Sequence, residues 1–296
     1  NINLELYKFF YHVIKEGSFS KAAQVLFVTQ SAVSQSIKLL EDRLNQQLII
    51  RLPKGIKLTR SGEVLFRHIE PAFNMIASGE AQMSLINDLK KGVVTLSASD
   101  TICMYYLPSY LEQFKMKYPE ISIKIFNRTS SETISMLKKG IAEIGFINLT
   151  NEKEDLLEIL KEEKQEDGFF VSVNSLLSSD KVYTLADISR MPLILLEKGT
   201  STRDHIDSFF NKHNLSLDPE IELGSVDLLI RYAVLDMGVI CVAKQYIEKS
   251  PYKDKLKLLK IKEKIPASTL GVVKLRNVPV SRATGEFLDI IVKDKV

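Results

Sequence analysis

The chain has 296 residues, of which 45% are hydrophobic and 26% are charged, with a formal net charge of +3. At ~150 residues per domain, this length predicts about two domains with ample core. No uncharged run reaches the ~18 residues of a membrane span, and the N-terminus has no signal-peptide pattern, so we expect a soluble, cytoplasmic protein. The two cysteines are too few for a disulfide framework and match no metal-binding spacing.

Positive charge is concentrated near the N-terminus. Residues 1–60 contain 9 Lys and Arg against 4 Asp and Glu, whereas the remainder contains 31 against 33. Neutralisation of phosphates supplies much of the affinity of nucleic-acid-binding proteins and requires such local basic charge. The asymmetry therefore favours a nucleic-acid partner for this end of the chain, although it does not prove one.

Two short helical patterns, over residues 19–26 and 30–44, are separated by only three residues, a spacing that suits a helix-turn-helix. Phe27 occupies the turn in place of the glycine often found there, which predicts a slightly more open turn. In the second pattern an apolar stripe recurs at helical spacing. It consists of Val33, Ile37, Leu40 and Leu44.

The opposite face of the second helical pattern carries short hydroxyl and amide side chains. Such side chains let a helix lie close to base edges, whereas a merely solvated face is the alternative interpretation. Gln30, Ser34 and Gln35 are the residues that we expect to read bases. Thr29 is well placed to cap the helix, whose positive end would then meet a phosphate.

A short β-hairpin is predicted next. The apolar residues 48–50 and Arg51 lead into a Pro53-Lys54-Gly55 turn and an extended segment over residues 56–58. Such a hairpin would form a wing beside the helix-turn-helix. Its positive charges would lie near phosphates of the neighbouring minor groove, and they are supplied by Arg51, Lys54 and Lys57.

Four of these segments, in this order, resemble the LysR-type transcriptional regulators. They are SFSKAAQVL, TQSAVSQSIKLLE, LIIR and LTRSGE. The resemblance implies a winged helix-turn-helix, a long linker helix and a two-lobed α/β effector-binding domain like that of periplasmic binding proteins. It places Arg51 on the wing and puts at the major groove Gln30, Ser31, Ser34, Gln35 and Lys38. With the capping and hairpin arguments, Thr29 and Lys54 join this predicted DNA-binding set.

A heptad pattern follows the wing, and it predicts a helix from about Arg60 to Leu89 that spans ~45 Å. Thr59 is its expected N-cap, and Pro71 should bend or locally break it. The pattern favours a homodimer, as the resemblance does, against the alternative of a monomeric helix lying on its own core. The predicted seam consists of Leu65, Ile69, Ala72, Ile76, Gly79, Met83 and Ile86.

Apolar strand patterns then alternate with helical patterns, which predicts an α/β sheet with crossovers. The strands are expected over residues 93–98, 121–126, 144–147, 169–173, 193–196, near 221, and 239–242. The helices are expected over residues 105–118, 131–139, 202–212 and 226–236. Charged runs over 161–167 and 260–264 are interpreted, with the resemblance, as a two-strand crossover between lobes. The predicted domains are 1–58, 59–90 and 91–296, with lobe I formed by 91–163 and 266–296 and lobe II by 164–265.

Four segments rich in Ser, Thr or Gly, over residues 99–101, 129–131, 199–203 and 224–225, follow predicted strands and precede or open predicted helices. In open α/β sheets ligands bind beyond the carboxyl ends of strands, so these segments predict an effector site, although each could be only a helix cap. The resemblance likewise implies a cleft between the lobes. The predicted effector-binding residues are Ser99, Asp100, Thr101, Thr129, Ser130, Thr200, Ser201 and Thr202.

Converging hydroxyl and amide groups favour a small anionic effector, and Asp100 would fit better if the effector also carried an ammonium group, as an amino acid does. We expect no enzyme activity, cofactor or metal, because the usual catalytic and ligand-spacing motifs are missing. An exported solute-binding module is the other alternative. A redox role for Cys103 is a minor hypothesis. The expected partners are operator DNA, the effector and further copies of the chain as a dimer or, by resemblance, a tetramer; RNA polymerase is a further candidate partner.

Overall fold

The structure, a computed structural model, describes residues 2–53, 55–84, 92–149, 155–178 and 180–293. The chain forms two compact units. The N-terminal unit contains four helices and one hairpin. These are α1 (Leu4–Glu16), α2 (Phe19–Val25), α3 (Gln30–Leu44), β1 (Ile49–Leu52), β2 (Gly55–Leu58) and α4 (Arg60–Ser84).

The first three helices and the hairpin share one apolar core. The predicted stripe of α3 is its centre, since Val33, Ile37 and Leu40 are buried and Leu44 packs beside them. Ala22 of α2 is fully buried, and its small side chain lets α2 and α3 cross closely. Strands β1 and β2 pair antiparallel, so the predicted hairpin is confirmed, although Lys54 at its tip lies outside the described residues.

The turn between α2 and α3 is closed rather than open. Phe27 adopts a left-handed conformation with φ of 55°, which a glycine would otherwise supply. Its N–H donates to the carbonyl of Gln24 at 3.2 Å, and the Val28 N–H donates to the carbonyl of Ala23 at 3.0 Å. The prediction of a more open turn is therefore wrong, because Phe27 accepts the strained conformation instead of loosening the turn.

Helix α4 begins as predicted, since the Thr59 hydroxyl accepts a hydrogen bond from the Gly62 N–H at 3.0 Å. It runs through Pro71 without interruption, so the predicted local break is wrong. The Tyr11 ring of α1 stacks on α4 residues on both sides of the proline. Its centroid lies 6.3 Å from that of Phe66 and 4.9 Å from that of Phe73. The predicted continuation to Leu89, with the seam residue Ile86, lies outside the described residues.

The C-terminal unit contains two five-stranded mixed sheets. The chain enters the first sheet through β3 (Val93–Ala98), α5 (Asp100–Tyr105), α6 (Leu107–Lys117), β4 (Ser122–Asn127), α7 (Ser130–Lys138), β5 (Ile144–Asn148) and β6 (Leu157–Gln165). It then builds the second sheet and its surroundings with β7 (Asp167–Ser172), β8 (Val182–Tyr183), α8 (Leu185–Ile188), β9 (Leu193–Leu196), α9 (Ser201–Asn211), β10 (Ile221–Leu223), α10 (Val226–Val234), β11 (Val239–Ala243), α11 (Lys244–Lys249), β12 (Leu256–Leu258) and β13 (Lys260–Ile261). It returns to the first sheet with β14 (Ser268–Leu275) and ends with α12 (Arg282–Lys293).

The strand order places helix N-termini from both sheets on facing edges. The first sheet has the order β4-β3-β5-β14-β6 and the second the order β10-β9-β11-β7-β12. Strands β3, β4 and β5 are parallel, as are β9, β10 and β11, whereas β14 and β7 are antiparallel to their neighbours. The parallel strands deliver the loops before α5, α7, α9 and α10 to the space between the sheets.

The helix predicted over residues 105–118 is α6, which has Pro108 in its first turn, where the missing N–H costs nothing. The pattern missed the short helix α5 that precedes it. The chain crosses between the sheets within the charged run 161–167, as predicted, because β6 ends at Gln165 in the first sheet and β7 begins at Asp167 in the second. Strand β6 pairs with β14 at the sheet edge and keeps its charged residues partly exposed. The sequence pattern also missed β14 and α12, which complete the first sheet and its core.

Candidate nucleic-acid interface and ligand cavity

The N-terminus of α3 presents the predicted base-reading residues on the surface of the head, the part of the chain formed by α1, α2, α3, β1 and β2. Gln30, Ser31, Gln35 and Lys38 are exposed, and Ser34 is half-buried. Thr29 caps the helix, because its hydroxyl accepts from the Ala32 N–H at 3.2 Å. The head therefore offers exposed amide groups on one helix face, which suits hydrogen bonding to base edges in a major groove.

Arg51 connects the wing to this helix. Its Nη2 donates to the Ser34 hydroxyl at 2.6 Å, and its guanidinium lies 4.2 Å from the centre of the Phe19 ring. The side chain is thus held over α2 and α3, next to the base-reading candidates, instead of pointing away along the hairpin. It presents a fixed positive charge at the junction of wing and helix, whereas Lys57 stays exposed on β2.

Glu41 has a positioning role that the sequence pattern did not reveal. Its Oε1 accepts from the backbone N–H groups of Leu48 and Ile49, at 2.7 and 3.1 Å. The carboxylate thereby ties the last turns of α3 to the first strand of the wing. The apolar stripe gave no signal for this role, because only the fold shows what the carboxylate contacts.

The structure brings all eight predicted effector-binding residues together around one cavity. The cavity has a volume of about 140 Å³ and lies between the two sheets. Four of its loops come from the predicted segments: Ser99, Asp100 and Thr101; Thr129 and Ser130; Thr200, Ser201 and Thr202; and Gly224. A cavity this small is well below the ~300 Å³ of drug-sized pockets and fits a small metabolite.

Some of the hydroxyl groups are engaged within the protein. Thr200 caps α9 by accepting from the Arg203 N–H at 3.3 Å, as the cap interpretation predicts. Ser99 and Ser225 make no such side-chain cap, although both precede helices. The Ser225 hydroxyl instead donates to Oδ2 of Asp100 at 3.0 Å, across the cavity. Not every Ser or Thr before a helix is therefore used up in capping.

Arg128, which follows β4, also lines the cavity. The sequence pattern missed six further polar lining residues, which lie at strand ends or, for Tyr246, on α11. They are Asn127, Asn148, Gln165, Asp167, Ser268 and Tyr246. Asn148 donates from Nδ2 to the Thr202 hydroxyl at 3.3 Å, so it links the two walls. Tyr246 donates to Oε1 of Gln165 at 3.0 Å. Burial raises the pKa of Asp167, an effect that the Ser268 hydroxyl and, more weakly, His205 oppose.

Arg203 is structural although it adjoins the predicted segment. Its side chain is almost fully buried, where it donates to Asp207 at 2.9 Å and to Glu222 and the Leu196 carbonyl at 2.7 and 2.8 Å. These contacts fix the loop that carries Thr200, Ser201 and Thr202. The guanidinium stabilises the cavity wall through protein groups alone.

The pKa values of both cysteine thiols are raised. Burial, and secondarily the carboxylate of Asp100, raises the pKa of the Cys103 thiol, and burial raises that of Cys241. A higher pKa lowers the thiolate fraction on which oxidation depends. Within the described ranges, no group of His, Cys, Asp and Glu could hold a metal ion. Over the same residues, every helix falls short of the length and apolar character needed to cross a membrane.

A winged helix-turn-helix followed by the long helix α4, in one chain with a cavity between two sheets, is the architecture of a DNA-binding regulator with a sensor for a small molecule. The family model for the lysR-family bacterial regulatory helix-turn-helix matches residues 4–63, and the model for the LysR substrate binding domain matches residues 87–295. The chain therefore belongs to the LysR family of transcriptional regulators, which are not enzymes.

Individual relatives agree with the family assignment. The HTH-type transcriptional regulator CysL of Bacillus subtilis is 26% identical over 87% of this chain and 86% of its own length. A point variant of full-length OxyR from Pseudomonas aeruginosa superposes with a TM-score of 0.71 at 17% identity, covering 98% of this chain and 95% of that one. CbnR in complex with its target DNA gives a TM-score of 0.65 at 15% identity, covering 99% of this chain and 100% of that one. At these identities the two structures show the shared fold alone.

Proposed function

We propose that the chain is a sequence-specific regulator that reads DNA with the N-terminal half of α3 and Arg51, and that a small anionic or amino-acid-like metabolite in the cavity controls this binding. The observation that carries the proposal is the convergence of all eight predicted Ser, Thr and Asp residues on one cavity of about 140 Å³. The proposed domains are residues 1–58, 59–90 and 91–296, with the two lobes divided near 163 and 265. Such a regulator would act in the cytoplasm, where operator DNA lies.

The proposed base-reading step rests on exposure and chemistry. Gln30 and Gln35 are both exposed near the start of α3, and an amide can both donate to and accept from one adenine edge. Ser34 is held by Arg51, so the two residues would act as one unit at the edge of the groove. The structure of CbnR in complex with its target DNA has the same fold and supports this use of the head.

The proposed dimer rests on the seam of α4. Ile76 and Met83 are exposed in the single chain, on the same helix stripe as Ala72 and Gly79. Large apolar side chains repeated at heptad spacing lose this exposure when two helices pair. A homodimer would present two heads to half-sites separated by multiples of ~34 Å. Dimer pairs forming a tetramer and contacts with RNA polymerase remain predictions from the family resemblance.

A gel shift on the DNA upstream of the gene, followed by footprinting, tests the DNA-binding part. Gln35→Ala should weaken specific binding by ~10- to 100-fold, because a bidentate base contact is worth about 1–3 kcal/mol. Gln24→Ala, at an exposed position of α2, is the matched control and should leave the affinity for DNA unchanged. Equal loss in both variants, or none in either, would refute the proposed reading face.

Sedimentation of the full chain tests the seam. We expect a dimer at micromolar concentration, and Ile76→Glu should shift it towards monomer, because the substitution buries a charge between two helices. Met116→Glu, at an exposed apolar position on α6, is the control and should keep the wild-type state. A wild-type chain that sediments only as a monomer would contradict the dimer.

A further inference from the structure

The cavity carries more negative than positive charge. Among its lining residues, Asp100 and Asp167 have carboxylates, whereas Arg128 is the single cation. Arg128 is exposed, and its Nη1 donates to the Asn127 carbonyl at 2.7 Å. Neither carboxylate forms an ion pair with a described residue. An inorganic oxyanion or a dicarboxylate would therefore enter a cavity whose fixed charges repel it.

Asp167 lines the cavity and is only 9% exposed. A buried carboxylate needs hydrogen bonds or an opposite charge to stay ionised, and burial raises its pKa here. The Ser268 hydroxyl supplies one hydrogen bond. A cation brought by a ligand would supply the missing charge compensation.

Two more acceptors on the wall have unused capacity. Asp100 accepts from Ser225 at 3.0 Å and from Asn127 at 3.5 Å, while a carboxylate can accept about four hydrogen bonds. Oδ1 of Asn148 is buried without a hydrogen-bond partner among the described residues, although its Nδ2 donates to Thr202. A buried acceptor without a donor costs free energy, so a ligand that donates there would be favoured. These acceptors call for a group with several N–H donors.

We infer that the effector carries a protonated amine together with a carboxylate, so that it is an α-amino acid or a close analogue, with its ammonium group directed to Asp100 and Asp167. This inference rests on the proposed effector control and selects between its two ligand classes. A primary ammonium has three donors and one positive charge, which match the carboxylates and Asn148 Oδ1. The carboxylate would face the first backbone N–H groups of α9, beside Ser201 and Thr202, where a helix N-terminus favours negative charge.

Matched ligand pairs test the inference on the full chain. The thermal stability of the wild-type protein is measured with each of the proteinogenic L-amino acids, with the carboxylic acid that lacks its amine, such as glutarate for glutamate, and with sulfate and phosphate. We expect at least one amino acid to raise Tm, and calorimetry to show at least ~10-fold weaker binding of its deaminated partner, because a charge-assisted hydrogen bond is lost. No variant is needed for this comparison.

Asp100→Asn then locates the contact. The variant should bind the selected amino acid about 10- to 100-fold more weakly while its affinity for the deaminated acid stays the same or rises, because one repulsive charge is gone. Asp180→Asn removes the same charge at an exposed position outside the cavity and should change neither affinity. Unchanged amino-acid affinity in Asp100→Asn would remove that carboxylate from the ligand contact and overturn the inference.

The outcomes separate this inference from the proposed function. Tighter binding of sulfate, phosphate or deaminated acids than of any amino acid would overturn the ammonium assignment and leave effector control intact. A panel in which no amine stabilises the protein would also overturn it. The proposed function itself would fail in a different experiment, namely if the wild-type chain did not bind the DNA upstream of its gene in a gel shift.

Discussion

The head and the cavity place their functional residues in opposite ways. The predicted DNA-binding residues lie within one stretch of sequence, from Thr29 to Lys54, and those that the structure describes lie at the N-cap of α3, on α3 and on β1. The cavity residues come from segments as far apart as Ser99 and Ser268. A local site depends on helix periodicity and capping, whereas a dispersed site depends on strand order. Substitutions in the core of the head should therefore destabilise the whole head. Substitutions of cavity residues should change which ligand binds while the fold persists.

Gly62→Ala should produce the largest loss of stability and should test how far the head behaves as a unit. A Cβ at this position would lie 2.1 Å from the carbonyl oxygen of Leu48, a backbone atom that cannot move aside cheaply. We expect a loss of about 3 kcal/mol, the upper end for overpacking, with loss of DNA binding. Chemical unfolding followed by circular dichroism and a gel shift measure the two effects.

Gly285→Ala is the control for this substitution, since it lies inside α12 with nothing within 4 Å of the added Cβ. It should retain a folded head and should raise helix stability by up to ~1 kcal/mol. If Gly62→Ala unfolds no more easily than Gly285→Ala, the close contact between α4 and Leu48 does not govern the head.

Phe27→Asn should have a smaller effect, of the opposite sign. Phe27 is 96% exposed and has φ of 55°, so the ring contributes little packing while the backbone conformation costs about 1 kcal/mol. Asn tolerates this conformation better, and we expect Tm of the head to rise. Phe27→Ala removes the ring but keeps the strain. An equal rise in both variants would attribute the effect to the exposed ring instead of the backbone.

Asp167→Asn should give the smallest change in thermal stability, and that change should depend on pH because of the cavity carboxyl group. Because the folded-state pKa of Asp167 is raised by burial, the native state binds more protons than the unfolded state between the ordinary carboxyl pKa and the raised one. Stability from this group is therefore lost as pH rises through that window. Without ligand, the variant should have a higher Tm than wild type at pH 7. This difference in Tm should shrink as pH falls towards the ordinary pKa of a carboxyl group.

An exposed carboxylate provides the contrast in sign. Lys257, with help from Lys260, lowers the pKa of Asp180, so its small contribution is present above the ordinary carboxyl pKa and is lost as pH falls. Asp180→Asn should therefore melt slightly below wild type at pH 7. A lower Tm for Asp167→Asn at pH 7 would mean that its hydrogen bond with Ser268 outweighs the cost of burial.

The sequence predicted α3 and the hairpin closely, and the reason is local. Helix α3 begins and ends where its apolar stripe and its cap predict, at Gln30 and Leu44, because each interaction spans only a few residues. The bounds of α1 and the contacts of Glu41 were not predicted, and the turn at Phe27 was predicted wrongly. A glycine in that place would have signalled the left-handed conformation, but phenylalanine hides it, since only the packing of α2 against α3 requires it.

The cavity was predicted in part. Ser and Thr residues after strands signalled four of its loops, yet Asp167 and Asn148 carry no such signal, since one begins a buried strand and the other ends one. Strand β6 lies in the predicted crossover, but its bounds and its partner had no local signal. Charged residues such as Lys161 and Glu162 also occur in solvated loops, and only the long-range pairing with β14 defines the strand.

The sequence by itself determined the family, the reading helix and the loops that could hold a ligand, since these depend on periodicity, capping and residue order along short stretches. Only the tertiary structure decided which charges share the cavity. Asp100 and Asp167 are 67 positions apart, and the parallel strand order with its two crossings between sheets brings both to one small volume. The character of the proposed ligand follows from that convergence, because electrostatic energy depends on distance in space and not along the chain.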